Sequence, residues 1–286
     1  MVKHLGIVGA GQLGTALAKL AILNNIEIHL YDINETILRR SIEQIKSDFR
    51  QAVQQKNLSS EQSLAALELL KTRTSLPDLG HCDIIIEAVV EDARVKKDLF
   101  KHLDADNKIA TILATTSPSM LVSSVGSAAR NTERIIGFHF FGQAASSELV
   151  EIIPNINTPA GIINDAAALI RMIGKTSVIV KDIPGAIVER TSHIIYNEAL
   201  CLSIDQTAGE GQIDNLVRQN MGLPLGPFQK MDAVGIDTVL ATGESIYDQS
   251  NGDPRFRPPG IIRQMVEAGL TGQKNGKGFY RYGNPQ

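Results

Sequence analysis

Cysteine is scarce in this chain of 286 residues, with Cys82 and Cys201 the only two. They are too few and too isolated for a disulfide framework or a zinc site, and no metal is expected. Charge of one sign is lacking as well. A formal net charge of −3 gives no general attraction to nucleic acid or to an anionic membrane surface. No apolar stretch approaches the roughly 18–20 residues that a membrane-spanning helix needs. The opening Met-Val-Lys-His-Leu-Gly runs straight into a strand-like segment, without the pattern of a signal peptide. These absences predict a cytoplasmic protein. What is present, 43% hydrophobic and 21% charged residues, is the composition of a globular chain. Its length allows one large domain and a smaller one.

The apolar pattern alternates between two periods. Leu5–Val8 and Ile26–Tyr31 read as strands, and between them a Gly-rich turn leads into helical spacing from Gln12 to Asn24. Connections this short predict a compact βαβ unit. Two polar helical stretches follow, Glu35 to about Gln55 and Ser60 to Lys71, the second opened by a capping box of Ser59 and Gln62. Further strands are expected at Asp83–Val90, Ile109–Ala114, Ile135–Phe141, Leu149–Ile153 and Ser177–Val180, with a helix at Val95–Leu103. This alternation predicts an α/β fold, a doubly wound sheet carrying a helical hairpin. After Asp182-Ile183-Pro184-Gly185 the period becomes helical throughout, near 187–207, 210–220, 235–249 and 258–268. The expected domains are therefore 1–183, a Rossmann-type α/β domain, and 184–286, an all-α domain.

Gly9-Ala10-Gly11-Gln12-Leu13-Gly14 fits G-x-G-x-x-G and stands in the context that gives the pattern meaning, after a strand and at the start of a helix. Gly9 permits the tight turn, Gly11 lets a pyrophosphate approach, and Gly14 lets helix and strand pack closely. The helix N-terminus then stabilises the phosphates. Asp32 ends the second strand, eighteen residues after Gly14, where an acid hydrogen-bonds the adenine ribose. The same carboxylate repels a 2′-phosphate, so NAD is expected rather than NADP. A Gly-rich turn with a helix-capping Asp in a fold without a nucleotide is the blander reading.

Over nearly its whole length the chain resembles the 3-hydroxyacyl-CoA dehydrogenases, above all the short bacterial 3-hydroxybutyryl-CoA dehydrogenases. The glycine motif carries the resemblance together with Ile86-Glu87-Ala88-Val89-Val90-Glu91, Gly137-Phe138-His139-Phe140-Phe141 and Leu149-Val150-Glu151. Asp182-Ile183-Pro184-Gly185, Gly226-Pro227-Phe228 and Gly276-Lys277-Gly278-Phe279-Tyr280 complete it. The resemblance implies a catalytic pair, His139 and Glu151. Oxidising a secondary alcohol needs a base for the hydroxyl proton, and imidazole suits that task near neutral pH. A carboxylate on the other ring nitrogen fixes the tautomer and stabilises the imidazolium. The resemblance further implies cofactor contacts at Gln12, Leu13, Ala88, Val89, Glu91, Lys96 and Thr116. For Glu91 and Lys96 the competing reading is an exposed charge pair at a helix start.

The departures gather on the substrate side. Where the family has Asn-Thr-Ser-Ser this chain reads Thr116-Ser117-Pro118-Ser119, so the expected serine falls on Pro118 and Ser117 or Ser119 stands in. Gly142-Gln143 replaces Asn-Pro after the histidine, and Val188-Glu189-Arg190 replaces Val-Asn-Arg. An ionised Glu189 cannot donate a hydrogen bond to a substrate oxygen. In the hairpin, Lys46, Arg50 and Lys56 remain to meet phosphates of coenzyme A, with Gln54-Gln55 before Lys56. Three functions compete: a short-chain L-3-hydroxyacyl-CoA dehydrogenase, the same chemistry on an acyl-carrier-protein-bound or free hydroxy acid, and an NAD-binding structural protein without catalysis. The resemblance also implies a homodimer formed through the helical domain.

Overall fold

The computed structural model describes residues 2–108, 110–142 and 147–283. The chain divides into two compact units, one of residues 1–117 and 121–182, the other of 118–120 and 183–286. The short excursion 118–120 falls in the segment where Pro118 replaces the serine of the family pattern.

The first unit is built on one eight-stranded sheet. Its strands are β1 (His4–Val8), β2 (Glu27–Tyr31), β3 (Leu70–Arg73), β4 (Ile84–Glu87), β5 (Ile112–Thr115), β6 (Ile135–Phe140), β7 (Leu149–Pro154) and β8 (Thr176–Ile179). Their order is β3-β2-β1-β4-β5-β6-β7-β8. All neighbours run parallel except β6 and β7, which pair antiparallel. The order reverses direction at β1, the point at which doubly wound sheets open a crevice. Helix α1 (Gln12–Leu23) crosses from β1 to β2; α2 (Glu35–Gln54) and α3 (Ser60–Glu68) form the hairpin leading to β3. Asn34 caps α2 by accepting from the Thr36 and Ile37 N–H groups, and the Ser59–Gln62 capping box opens α3 as the spacing predicts. Helices α4 (Ala93–Asp106), α5 (Val122–Gly126) and α6 (Ala160–Met172) complete the unit. One core cluster joins Ile, Leu and Val from the strands with Ala18, Ala21, Ile22, Phe49 and Leu169 from the helices, each nearly fully buried, while Ile85, Phe100, Leu103, Leu113 and Val125 are buried outside it.

Two boundaries differ from the sequence reading. Helical spacing runs to Lys71 in the sequence, yet the helix stops at Glu68 and Leu70–Arg73 is an edge strand. Sheet pairing with β2 overrides a periodicity carried by only two apolar residues, Leu69 and Leu70. The strand expected from Ile109 begins at Ile112, and Ile109 itself lies outside the described residues.

The second unit contains α7 (Val188–Ile204), α8 (Glu210–Met221), α9 (Pro227–Val234), α10 (Ile236–Gln249) and α11 (Gly260–Glu267). Helix α9 had no counterpart in the sequence reading; Pro227 at its first turn supplies the start signal. Two buried aspartates tie this unit together. Asp214 accepts from the Phe228 and Gln229 N–H groups and the Tyr280 hydroxyl, at 2.8, 3.0 and 2.7 Å. Asp232, fully buried, accepts from the Phe279 and Tyr280 N–H groups and the Tyr282 hydroxyl, at 3.0, 2.9 and 2.9 Å. A Cβ at Gly226 would strike Asp214, and one at Gly278 would strike Asp232. The Gly-Pro-Phe and Gly-Lys-Gly-Phe-Tyr motifs are thus the seats of two carboxylates, a structural role that satisfies buried charge with donors.

Candidate active site

Strand register brings the carboxyl ends of four strands into line. Val8 pairs with Glu87, Glu87 with Thr115, and Thr115 with Gly137. The Gly-rich turn, Ala88–Glu91 and Thr116–Ser117 follow these positions and leave the sheet along one edge, and His139 lies two residues beyond Gly137, still within β6. This is the edge at which open α/β sheets hold ligands.

At β1 the chain turns through Gly9, whose φ is +104°. A Cβ there would come within 2.5 Å of Ala88 O, and one on Gly14 would collide with Gly9 O. Both positions need glycine. A Cβ on Gly11 meets nothing within 4 Å, so this face of the turn is an open cradle. Gly11 is also the N-cap of α1; no side chain caps the helix and no acid stands in its first turn. The N–H groups and the positive dipole end are therefore suited to a pyrophosphate. Asp32 stands beside the cradle, accepting from Ala10 N–H and Asn34 N–H at 2.8 Å each. Gln12 is exposed and Leu13 half-buried on the first turn of α1. The open glycine face, the uncapped helix and the adjacent acid fit NAD.

Beside the turn lies a buried charge network that the sequence reading recognised only in part. Glu87, 0% exposed, ends β4, and its carboxylate accepts from Lys96 Nζ at 2.7 Å, Thr115 Oγ1 at 2.7 Å and Val89 N–H at 2.9 Å. Lys96, only 1% exposed, also reaches Glu91 Oε2 at 3.1 Å. Glu91 in turn accepts from the Ser117 hydroxyl. Lys96 is therefore a buried lysine, whereas Glu91 reaches it from an exposed position. Asp92 caps α4 by accepting from Arg94 and Val95 N–H, and this fixes the first turn that carries Lys96. Glu87 had been given no role. The signal was there: a carboxylate closing the apolar run Ile84-Ile85-Ile86 must enter the interior, where only a cation or several donors can satisfy it.

His139 and Glu151 face one another across the antiparallel β6–β7 pair as a direct register pair. The imidazole Nδ1 is 2.8 Å from Glu151 Oε2, with both residues nearly fully buried. A carboxylate at Nδ1 puts the proton on that nitrogen and the basic lone pair on Nε2. The Phe141 ring packs against the imidazole edge to face at 4.6 Å between centroids. Antiparallel register makes this pairing rigid, because both side chains are set by backbone ladders.

The remaining expected residues are dispersed. Thr116 and Ser117 are buried at the end of β5, and half-buried Ala88 and Val89 follow Glu87 in line with them. Ser119 belongs to the second unit, where its carbonyl accepts from Gln249 Nε2 at 3.0 Å. Glu189 occupies the first turn of α7 with its carboxylate 3.8 Å from His193 Nδ1, while the neighbouring Arg190 guanidinium lies 4.3 Å over the Phe256 ring. Lys56 is exposed in the turn after α2 at a φ of +62°, on a different element from those of the sheet edge. Lys46 pairs with Glu43 at 2.9 Å on the solvent face of α2. Gln143 lies outside the described residues.

Residues 4–183 match the profile of the 3-hydroxyacyl-CoA dehydrogenase NAD binding domain, and residues 185–282 that of the 3-hydroxyacyl-CoA dehydrogenase C-terminal domain. The chain is 30% identical over 281 residues to a probable 3-hydroxybutyryl-CoA dehydrogenase of Bacillus subtilis, covering 98% of each chain. It is 32% identical over 280 residues to one of Deinococcus radiodurans, covering 97% of this chain and 99% of the other. The crystal structure of (S)-3-hydroxybutyryl-CoA dehydrogenase from Ralstonia eutropha superimposes with a TM-score of 0.94 at 30% identity, over 99% of this chain and all of the other. No helix among the described residues is long and apolar enough to cross a membrane. With both domain profiles matched end to end, the chain belongs to the 3-hydroxyacyl-CoA dehydrogenase family of NAD-dependent oxidoreductases.

Proposed function

We propose that this enzyme interconverts a short-chain L-3-hydroxyacyl-CoA and its 3-oxoacyl-CoA, with His139 as the acid–base residue. The observation that carries the reading is the buried His139–Glu151 pair, 2.8 Å apart, on the same sheet edge as the glycine cradle. Bound NAD supplies the hydride acceptor for the C3 hydrogen. The hydroxyl proton passes to His139 Nε2 as the C–O bond becomes a carbonyl, and Glu151 stabilises the resulting imidazolium through Nδ1. In the reducing direction the imidazolium returns that proton. Gly9, Gly11 and Gly14 with the first turn of α1 hold the pyrophosphate, and Asp32 holds the adenine ribose. The Glu87–Lys96–Glu91 network and Thr116 stand on the nicotinamide side, where Lys96, held between two carboxylates, is a positioning group. Ser117, Ser119, Glu189 and Lys56 are assigned to the substrate by the family register alone.

The reading includes a homodimer formed through residues 186–286. Leu216, Met221, Leu223 and Leu225 support it, since all four expose apolar surface around the end of α8. A monomer by light scattering at micromolar concentration would overturn that part. The reading also includes a cytoplasmic location and a role in fatty-acid-type metabolism, in keeping with two free cysteines. Glu189, where the family pattern has Asn, favours a second reading: the same chemistry on a hydroxyacyl carrier protein or a free hydroxy acid. Turnover of NADH with acetoacetyl-CoA, acetoacetyl carrier protein and acetoacetate decides between them. The first reading predicts the highest kcat/KM on the CoA thioester, and a preference for either other substrate overturns it.

A further inference from the structure

At the amino ends of the strands, opposite the glycine turn, three histidines converge. His4 opens β1, His29 lies within β2, and His81 stands three residues before β4. Their ring centroids are 5.8 Å apart for His4–His29, 5.6 Å for His4–His81 and 4.2 Å for His29–His81. One nitrogen from each ring can be chosen so that all three lie within 4.8 Å of one another. The register explains the convergence. His4 pairs with Glu27 and Gly6 with His29, so both histidines and Glu27 share a face of the sheet on which Gly6 carries no side chain.

The hydrogen bonding of the cluster does not close by itself. His29 Nε2 lies 2.9 Å from Glu27 Oε1 and 3.0 Å from His81 Nε2, so one ring nitrogen faces two partners. A ring nitrogen offers either a single proton or a single lone pair in its plane. The Nδ1 atoms of His4 and His29 are buried with no hydrogen-bond partner among the described residues, and His29 is 2% exposed. His4 Nδ1 is 3.3 Å from Glu27 Oε1 but outside hydrogen-bonding geometry. Buried polar atoms without partners are rare in native proteins and call for an explanation.

We propose that His4, His29 and His81 bind a divalent zinc-class cation, with Glu27 as the adjoining carboxylate. Imidazole nitrogen suits Zn²⁺, which takes it at about 2.0–2.1 Å in tetrahedral geometry. Tetrahedral ligands at that distance are roughly 3.3 Å apart, close to the 3.0 Å between the His29 and His81 Nε2 atoms. Side-chain rotation closes the remaining separations, since His4 is partly exposed and His81 exposed. Glu27, about one-third exposed, either fills the fourth position or orients an imidazole from outside, as carboxylates beside metal-bound histidines do. The Arg73 side chain lies near enough to act on His29. Arg73 opposes a cation here. The carboxylates of Glu27 and of Asp83, which accepts from the Lys3 and His4 N–H groups, offset it. The cation would clip the starts of β1, β2 and β4 together, a structural role at the end of the sheet remote from catalysis. Ligands spread over positions 4, 29 and 81 have no motif spacing, which is why cysteine content alone predicted no metal.

The full-length protein, freed of metal by chelation, is titrated with Zn²⁺ against a chromogenic chelator and then with Co²⁺ to read four-coordinate d–d absorption. A single equivalent should bind and raise Tm. His81→Ala, at an exposed position where folding is tolerant, should weaken it by about 100-fold or more, beyond what loss of an outer-shell partner costs. Glu27→Gln should weaken it less, and NADH affinity should stay unchanged in both variants. No binding by the wild type at micromolar Zn²⁺ overturns the proposal. Equal affinity in wild type and His81→Ala overturns it as well, because the ion then sits elsewhere.

Discussion

Replacing Lys96 by Met tests the charge network beside the glycine turn. The ammonium is 1% exposed and its first partner, Glu87, is 0% exposed. Methionine keeps the length of the side chain and removes the charge. The Glu87 carboxylate then retains only the Thr115 hydroxyl at 2.7 Å and the Val89 N–H at 2.9 Å. Breaking a buried ion pair by removing one member costs about 3–5 kcal/mol, because the other charge stays buried and uncompensated. For a unit of this size each kcal/mol shifts Tm by roughly 2–4 °C, so Lys96→Met should lower Tm by about 6–20 °C. Glu87→Gln in the same background leaves a neutral amide, and the double variant should recover more than half of the loss. Calorimetry of the four proteins of this cycle without cofactor gives the coupling directly. A loss below about 1 kcal/mol for Lys96→Met, the range of an exposed pair, would rule out a buried, uncompensated Glu87. Lys96 would then be a solvated lysine rather than a buried positioning group.

Other outcomes follow from the same geometry. Asp32→Ala should narrow the preference for NADH over NADPH in fluorescence titrations, since the carboxylate beside the cradle repels a 2′-phosphate; an unchanged ratio would place discrimination elsewhere. Asp104 is a case of pH-dependent stability. Burial alone would raise its carboxyl, but the Arg134 guanidinium, at 2.8 and 3.2 Å, with Arg130 N–H and Asn131, outweighs burial and holds it below the ordinary range. A depressed folded-state pKa gives stability that is present above the unfolded value near 4 and is lost as pH falls through the folded one. Chemical denaturation from neutral pH down to about pH 3 should therefore show a shallower acid loss for Asp104→Asn than for wild type, and parallel curves would contradict this.

Much of the first unit was legible because its strands are runs of β-branched and aliphatic residues. Ile84-Ile85-Ile86 and Ile135-Ile136 leave little ambiguity once glycine and turn residues bound them. β3 was not legible. Leu70-Lys71-Thr72-Arg73 is polar at three of its four positions and stands at the sheet edge, so its conformation comes from pairing with β2 and not from its own pattern. His139 and Glu151 were singled out through the family motif, while their geometry came from register. Nothing local says that His139 and Glu151, twelve residues apart, will sit opposite one another until β6 and β7 are known to be antiparallel. Glu87 illustrates the converse. It stood in plain view within a quoted motif, yet its partners Lys96 and Thr115 become neighbours only when β4, β5 and α4 assemble. The histidine cluster is further still from sequence logic, because three separate elements deliver one ring each.

In the proposed reaction the proton moves through His139. Pre-steady-state reduction of acetoacetyl-CoA by NADH in His139→Ala, with NADH affinity measured alongside, tests it most directly. The chemical step should fall by roughly 10²-fold or more, with NADH bound as in wild type and Glu151→Gln reduced in the same direction. A wild-type rate in His139→Ala would contradict it and send the proton to another group.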